Sequence, residues 1–452
     1  MASTVLTAMS YFVFAVVVYY AALFAISKSR PRRPKPGDRH QWFVLVVPAR
    51  NEELVLDATL ENLTSIDYPR LAIVVVNDGS TDRTGEIARA WARRDRRIIA
   101  VDRLPEVAGR GKSDVLNQAY RVVRDAARPR SRFHGASPHN IIVGIVDADG
   151  GLEPQGLSTV CGYFDAAEVG SVQIGVRIGN ATDGLLARMQ DMEFVGFSCL
   201  VQIARDRFGS SGLGGNGQFT RLSALIGLGD CPWSQNALTE DLDLGLILLQ
   251  SGWRTRYCRD TFVTQQGLTK WRPLLRQRTR WIQGHYQCWK HLPGLYRSSK
   301  ARVTARIDLS LYLLLVVTVV VVFAQLIIGV AASLHLLDAQ NTFLAFLGDG
   351  STLRVASLVV GVTPLMVFLF TYQRHAAKPL QWWEVPAYGV AFTAYSYIWI
   401  TATALAWGRI ATGRWNWTKT PRVAVADAET VGPDLAGSPT RERRYALDLS
   451  DD

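Results

Sequence analysis

Residues 43–53 read FVLVVPARNEE, and residues 71–82 read LAIVVVNDGSTD. Each is a short, unbroken run of mostly β-branched residues that stops abruptly in polar ones. A strand covered on both faces has no solvent side, so its pattern is continuous rather than alternating. Strands are therefore predicted over 43–47 and 71–76. IIAVDR (98–103) and NIIVGIVDADG (140–150) read in the same way. Between them, 54–63, 84–94 and 113–127 carry apolar residues at helical spacing. Strands alternating with helices predict a parallel sheet with helices on both faces. Ligands of such sheets bind at the carboxyl ends of the strands. Three strands end in polar clusters, 48–53, 77–82 and 147–150, and these are expected to meet in one crevice. No Gly-x-Gly-x-x-Gly follows a strand, and GRGKSD (109–114) lacks the spacing of a P-loop. This excludes the dinucleotide-binding and P-loop versions of the architecture.

The chain has 452 residues, 48% of them hydrophobic, and a formal net charge of +11. Residues 4–26 carry no charge and are long enough to span a bilayer. The stretch KSRPRRPKPGDRH that follows has six Lys or Arg against one Asp. Basic residues after the apolar run, and no small-residue cleavage site, predict an uncleaved membrane helix rather than a signal peptide. Three later apolar runs, 309–334, 356–372 and 385–407, complete an expected α-helical transmembrane region. By the positive-inside rule the N-terminus lies outside, and the large domain between 41 and 300 is cytoplasmic, at a plasma membrane the chain crosses several times. The expected division is a membrane helix over 1–27, a basic linker over 28–40, a globular domain over 41–268, an interfacial helix over 269–300, membrane helices over 301–410, and a final segment over 411–452. That segment's end, after Pro421, has the composition of a disordered tail. The five cysteines are scattered without Cys-x-x-Cys spacing, which argues against thiolate metal binding. The basic surplus lies beside the apolar runs, where anionic membrane lipids attract it, and no nucleic-acid module is present.

Asp147 and Asp149 end a buried strand. Two carboxylates so spaced can share a divalent cation, Mg²⁺ or Mn²⁺, with the phosphate oxygens it bridges. Alone the pair also reads as a turn. Asp78, in Asn77-Asp78-Gly79-Ser80, reads equally as a turn residue or as an acceptor for a base or ribose. In NALTEDLDLGLILLQSGW (236–253), Thr239 is a candidate N-cap, Glu240, Asp241 and Asp243 suit the positive end of a helix, and Gly252 ends it. Gln277-Arg278-Thr279-Arg280-Trp281 sits in a stretch rich in Trp and Arg that fits a membrane surface, and 183–208 is a second candidate interfacial helix.

PARNEE, NDGSTD, GKSDVLN, DADG, GNGQFTR, TEDLDLG and QRTRW occur in the order seen in the family 2 glycosyltransferases. Over about 44–281 the chain resembles their membrane-embedded branch, the cellulose, chitin, hyaluronan and poly-N-acetylglucosamine synthases. The resemblance implies an α/β, GT-A-like parallel-sheet domain and inverting transfer from a nucleotide sugar, with UDP-N-acetylglucosamine or UDP-glucose ahead of GDP-mannose. It implies Asp241 as the catalytic base that deprotonates the acceptor hydroxyl, kept ionised by the helix start. Pro48, Arg50, Glu52, Asp78, Lys112, Asp147, Asp149, Gln277 and Arg280 fall on donor-binding positions, with Asp149 and Asp147 holding the metal. Lys112 reads equally as a solvated surface lysine. Gly217, Arg221, Glu240 and Trp281 fall on the acceptor side, where Gly215 and Gly217 would let a sugar approach and Cys231-Pro232-Trp233 either lines the pocket or packs. Trp415, Trp417, Thr418 and Lys419 resemble a gating segment, and equally an interfacial aromatic belt. A strict count of spans would put Trp417 outside, whereas Arg409, Arg414, Lys419 and Arg422 place it inside.

The functions implied are a synthase extending a β-linked polysaccharide and translocating it, with room for accessory export proteins, or a non-processive transferase to a glycolipid acceptor, or a GDP-mannose-using mannan synthase. A non-enzymatic scaffold would have no use for Asp78, Asp149, Asp241 and Arg280, which are expected to meet around one donor.

Overall fold

The computed structural model describes residues 2–28, 34, 40–128, 133, 135–318, 320–321 and 366–415. Four parallel strands form one half of its sheet: β1 (Trp42–Ala49), β2 (Leu71–Asn77), β3 (Ile98–Asp102) and β4 (Ile141–Ile145). Helices α1 (Ala2–Lys28), α2 (Leu56–Thr64), α3 (Thr84–Arg94) and α4 (Lys112–Ala126) precede or connect them. The continuous apolar runs are explained by two cores. Phe43, Leu45, Val47, Ile73 and Val75 face one core with Leu56, Leu60 and Leu63 of α2 and Ala88 of α3. Val44, Val46, Val74 and Val76 face the other, with Val115, Leu116, Ala119 and Val123 of α4. Each fully buried Val or Leu stabilises the fold by roughly 1.5–3 kcal/mol relative to exposure.

The sheet is mixed rather than parallel throughout. It has eight strands in the order β3-β2-β1-β4-β7-β6-β8-β5. Beyond β4 come β5 (Gly151–Leu152), β6 (Val169–Ile178), β7 (Gln218–Arg221) and β8 (Arg254–Gln265), of which β7 is antiparallel to β4 and β6, while β6 and β8 run parallel. These strands escaped the sequence pattern for physical reasons. β7 has four residues, and β8 mixes charged with apolar side chains because one face is only half covered. The strand order reverses between β1 and β4, and such a switch point opens a crevice at the strand ends. Pro48 is tolerated there because β4 pairs with β1 only as far as Val46, so no ladder bond from residue 48 to β4 is lost.

The later helices are α5 (Gly156–Cys161), α6 (Leu185–Gly196), α7 (Ile203–Phe208), α8 (Leu222–Ile226), α9 (Glu240–Gln250), α10 (Trp271–Gln287), α11 (Leu292–Arg297), α12 (Val303–Leu313), α13 (Val385–Ser396) and α14 (Ile398–Ala411). The expected helix over 183–208 is α6 and α7 joined by a wider π-helical turn, Phe197–Gln202. Leu23 of α1 packs on Leu200, Val201 and Ala204 of that joined helix. A buried pair, Arg205 Nε to Asp308 Oδ2 at 2.8 Å, ties α7 to α12, and Tyr19 of α1 donates to the same carboxylate.

The membrane region expected from the sequence is carried only in part. Among the described residues, Val385–Ala411 is the one helix long and apolar enough to cross a membrane, and Val18–Lys28 counts as a shorter apolar helix. Most of 309–334, and 356–365 of the third apolar run, lie outside the described residues. Gln283 of α10 donates to the Arg414 carbonyl at 3.0 Å, so the chain just past α14 lies beside α10. Trp417, Thr418 and Lys419 lie outside the described residues, and Trp415 is exposed.

Candidate active site

The polar loops after β1 and β2 are laced together. Asn51 N–H donates to Ser80 Oγ, Thr81 N–H to Asn51 Oδ1, Glu52 N–H to Thr84 Oγ1, and Arg83 N–H to the Glu53 carboxylate. Glu52 is therefore buried as part of this lacing. Asp78, at the end of β2, is buried too. It accepts from Arg103 at 2.5 Å and from the Gly109 N–H at 3.0 Å, with Arg50 at 4.0 Å. Arg103 also reaches the Asp114 carboxylate in the first turn of α4. Arg103 thus fixes the 104–111 loop and the start of α4 to the strand end. The sequence reading passed over it, although its place directly after the third strand was the available signal.

Lys112 opens α4 and is not a solvated lysine. Its Nζ lies 2.6 Å from Asp147 Oδ1 and 3.7 Å from Glu240 Oε1. Burial works against the ammonium, but Asp147 and then Glu240 outweigh it and keep Lys112 charged. Asp147 is further placed by Asn216, whose Oδ1 accepts its backbone N–H at 3.2 Å, and Asp149 accepts from the Gln266 N–H at 2.9 Å. The two aspartates therefore sit at the switch point on fixed backbone. Among the described residues no group of three or more His, Cys, Asp or Glu gathers as a complete metal cage.

The carboxylates that open α9 have separate duties. Thr239 does not cap the helix with its side chain. It packs on α10 instead: a Cβ on Gly284 would lie 2.4 Å from Thr239 Oγ1, so glycine is what lets α10 seat against the turn. Asp241 Oδ1 accepts the Leu242 N–H at 2.8 Å. Glu240 is buried and points to Lys112. Asp243, 2% exposed, is held by His291 and Lys290, both at 2.8 Å, and by Ser234. Burial alone would raise its pKa, but these donors pull the carboxyl down to about 2. The helix ends as its glycine predicts. Gly252 has φ +96, its N–H reaches the Leu249 carbonyl, and the Trp253 N–H reaches that of Leu248, a Schellman close.

Asp241 corrects one expectation. The helix start does not keep it fully ionised: burial, and then the negative charge of Glu240, push its carboxyl up to about 7 against the pull of the Leu242 N–H, Lys112 and Arg280. Gly215 forms the floor beside it. With φ +74, its Cβ position is 3.1 Å from Asp241 Oδ2 and 3.4 Å from Lys112 Nζ. A side chain there would crowd both the carboxylate and the ammonium.

Of the expected acceptor residues, Arg221 lies elsewhere. Arg221 is at the opposite end of the sheet, because β7 runs antiparallel and pairs its last residue with Ile142 near the start of β4. It is 0% exposed and donates to the carbonyls of Val169, His139, Phe164 and Ala166, so it ties chain turns together at that end. Gly217 lies inside the sheet, where a Cβ would come within 2.7 Å of Ile174 and Val263. Trp233 packs in the second core beside α4 and α9. On α10, Arg280 donates to the Leu238 carbonyl at 2.6 Å, just before the three carboxylates. Gln277 accepts from Arg278 at 2.8 Å, and the Trp281 ring lies among Phe194 and Trp399. The structure thus brings Lys112, Asp147, Gly215, Glu240, Asp241 and Arg280 together, with Asp78 and Arg50 along the adjoining loop.

Residues 40–284 match the model of a family described as "Glycosyltransferase like family 2". The chain is 30% identical to the probable glycosyltransferase YdaM of Bacillus subtilis, over 57% of this chain and 59% of that protein. It is 31% identical to a β-monoglucosyldiacylglycerol synthase of Synechocystis, over 54% and 47% respectively, and 24% identical to a poly-β-1,6-N-acetyl-D-glucosamine synthase of Staphylococcus aureus, over 60% and 61%. The chain spans about half the length of the curated relatives it matches. Among solved structures, the mannosyltransferase of Pyrobaculum calidifontis in complex with GDP-Man and Mn²⁺ aligns with a TM-score of 0.57 at 20% identity, over 87% of this chain and 98% of that one. That likeness is one of fold: a GT-A-like mixed sheet flanked by helices.

Proposed function

The chain belongs to the family 2 glycosyltransferases, and from that premise we propose that it transfers a hexose, with inversion, from a nucleotide sugar to a hydroxyl of a membrane-borne acceptor, with Asp241 as base. The observation that carries this reading is the Asp241 carboxyl, drawn up to about 7 and set over the Gly215 floor beside Lys112. A general base works best when its pKa is near the working pH. The acceptor oxygen attacks the anomeric carbon as its proton passes to Asp241, and the bond from that carbon to the diphosphate breaks on the far face. Lys112 and Arg280 bring positive charge to the crevice where the leaving diphosphate collects its own. Asp78, with Arg50 and Arg103 beside it, forms the wall for the nucleoside.

Asp147 and Asp149 fit a divalent cation: both offer hard oxygen ligands at the switch point, and a site of two carboxylates is completed by diphosphate and water, as Mg²⁺ and Mn²⁺ accept. Such an ion would supply charge neutralisation to the diphosphate. UDP-glucose and UDP-N-acetylglucosamine are the favoured donors, with GDP-mannose third.

A glycolipid acceptor is favoured by the relative that makes monoglucosyldiacylglycerol and by the apolar helix Val385–Ala411, whose α14 part packs on α10 through Trp407 Nε1 to Tyr286 OH at 2.8 Å. The second reading, extension of a β-linked polysaccharide with translocation, is supported by the paired TED and QRTRW motifs and by the poly-N-acetylglucosamine synthase relative.

The test is nucleotide release and product sizing with the purified full-length chain and a panel of UDP-glucose, UDP-N-acetylglucosamine and GDP-mannose, with Mn²⁺ or Mg²⁺. Asp241→Asn is expected to bind donor while losing transfer by at least about 10³-fold, as losses of essential catalytic groups do. Chelation is expected to silence the wild type. Transfer by the Asn variant at the wild-type rate, or full activity in excess chelator, sinks the mechanism.

A further inference from the structure

Arg278, the residue directly after Gln277, has no part in the scheme above, yet it touches two members of that motif. Its Nη1 donates to Gln277 Oε1 at 2.8 Å, and its guanidinium lies 4.1 Å from the centre of the Trp281 ring. The same side chain, 0% exposed, pairs with Glu193 of α6 at 2.6 Å and donates to Tyr395 of α13 at 3.1 Å. Tyr395 in turn donates to Glu193, and Trp399 of α14 lies beside the pair, 5.4 Å from the guanidinium and 6.3 Å from the Trp281 ring. Three elements distant in sequence therefore meet on one arginine: the helix carrying Gln277 and Trp281, the helix α6, and the apolar run Val385–Ala411.

We propose that Arg278 is a positioning residue for transfer, a planar clamp that holds the Trp281 ring in the orientation that receives the acceptor, braced in its own plane by Gln277, and that Glu193, Tyr395 and Trp399 fix that clamp to the helices expected at the membrane. The proposal rests on the reading of Trp281 as an acceptor-side residue. Arginine suits the task because its flat fork can stack on an indole and donate in its own plane at once. Lysine offers a point charge and can do only the second. Glu193 holds the charge in place, since a buried guanidinium without a counter-ion would be driven to solvent.

The experiment uses the full-length chain, with initial rates measured against dioleoylglycerol in mixed micelles and against N-acetylglucosamine tetramer, whichever the wild type glycosylates. Arg278→Lys, Trp281→Leu and the double variant are compared. A lost cation–π stack lets the acceptor KM rise about tenfold in each single variant, with kcat within about twofold and thermal midpoints within a few degrees. The double variant should be no worse than Trp281→Leu alone, because two residues acting through one contact are not additive. An Arg278→Lys acceptor KM at the wild-type value, a multiplicative double variant, or a lowered kcat with unchanged KM overturns the proposal. Should Arg278→Lys fail to fold, Glu193→Gln leaves the arginine but loosens it, and an acceptor KM unchanged there overturns it equally. The stack is also read without turnover: the near-ultraviolet circular dichroism difference between wild type and Trp281→Phe should collapse in the Arg278→Lys or Glu193→Gln background, and a difference that survives rules the clamp out. A wild type that transfers from no donor in the panel removes the proposed function instead, and the dichroism arm then still decides the clamp.

Discussion

A Cβ on Gly215 would stand 3.1 Å from Asp241 Oδ2. The spacing means that any side chain at residue 215, in the loop after α7, would crowd the Asp241 carboxylate in the first turn of α9, where the acceptor hydroxyl is proposed to sit. Its φ of +74 adds a second constraint, since an L-residue in the left-handed region costs roughly 1–2 kcal/mol. Gly215→Ala is therefore expected to lower the thermal midpoint by several degrees and, separately, to cut kcat/KM by about 10²-fold, as ångström-scale misplacement near reacting atoms does. Thermal unfolding and initial rates on the same preparation check both. Full activity in a folded Ala variant would mean that no ligand enters between Gly215 and Asp241.

The position of Asp241 predicts a pH profile. A base with its carboxyl near 7 loses activity as pH falls below that value, about tenfold per unit, because only the ionised form accepts the proton. Glu240 supplies the second-largest upward push, after burial. Glu240→Gln removes that charge, so the acidic limb of kcat/KM should move to lower pH. The stability sign is the reverse of the usual aspartate case. The folded carboxyl holds its proton between the unfolded value near 3.8 and about 7, so stability is greatest below the unfolded value and falls across that window as pH rises. Asp241→Asn should therefore raise the thermal midpoint at pH 8 and change it little at pH 4. A limb that stays in place in Glu240→Gln would remove Glu240 as the cause.

Asp243 behaves in the opposite way, though it is only two residues on. Its folded carboxyl lies at about 2, below the unfolded value, so its contribution is present above about 4 and is lost as pH falls from there towards 2. Asp243→Asn gives up charge-assisted bonds from Lys290 and His291 and is expected to cost about 1–3 kcal/mol at neutral pH. Unfolding midpoints of the two proteins should converge near pH 2. Equal midpoints at pH 7 would show that the Asp243 contacts hold nothing together.

The parallel half of the sheet could be read directly from residues 43–47 and 71–76, because strands buried on both faces must be apolar at every position. The antiparallel half was hidden: Gln218–Arg221 is too short to show a period, and Arg254–Gln265 interleaves charges that pair with Asp206 and Glu168. At the site, Asp147, Asp241 and Arg280 were legible because each sits within a dense motif, the first two at element ends and Arg280 inside α10. Arg103, Asn216 and Arg278 were not, since what they do depends on which elements fold against them. The misplacement of Arg221 came from chain direction. Placing both Gly217 and Arg221 of GNGQFTR on the acceptor side kept its last residue near its first, whereas the strand inside it carries Arg221 about three residue lengths, roughly 10 Å, away from the crevice.

That displacement gives the sharpest separation of structure from chemistry. Arg221 donates to the carbonyls of four residues, Val169, His139, Phe164 and Ala166, at the closed end of the sheet. Arg221→Lys keeps the charge but cannot reach all four, and buried carbonyls left without donors cost about 1–3 kcal/mol each. The variant is expected to unfold at a temperature lower by ten degrees or so, given the few degrees per kcal/mol typical of domains this large. Assayed well below that temperature, it should show the wild-type acceptor KM, since nothing at the crevice has moved. A raised acceptor KM at an unchanged thermal midpoint would return Arg221 to the acceptor side and require β7 to be rebuilt in the opposite direction.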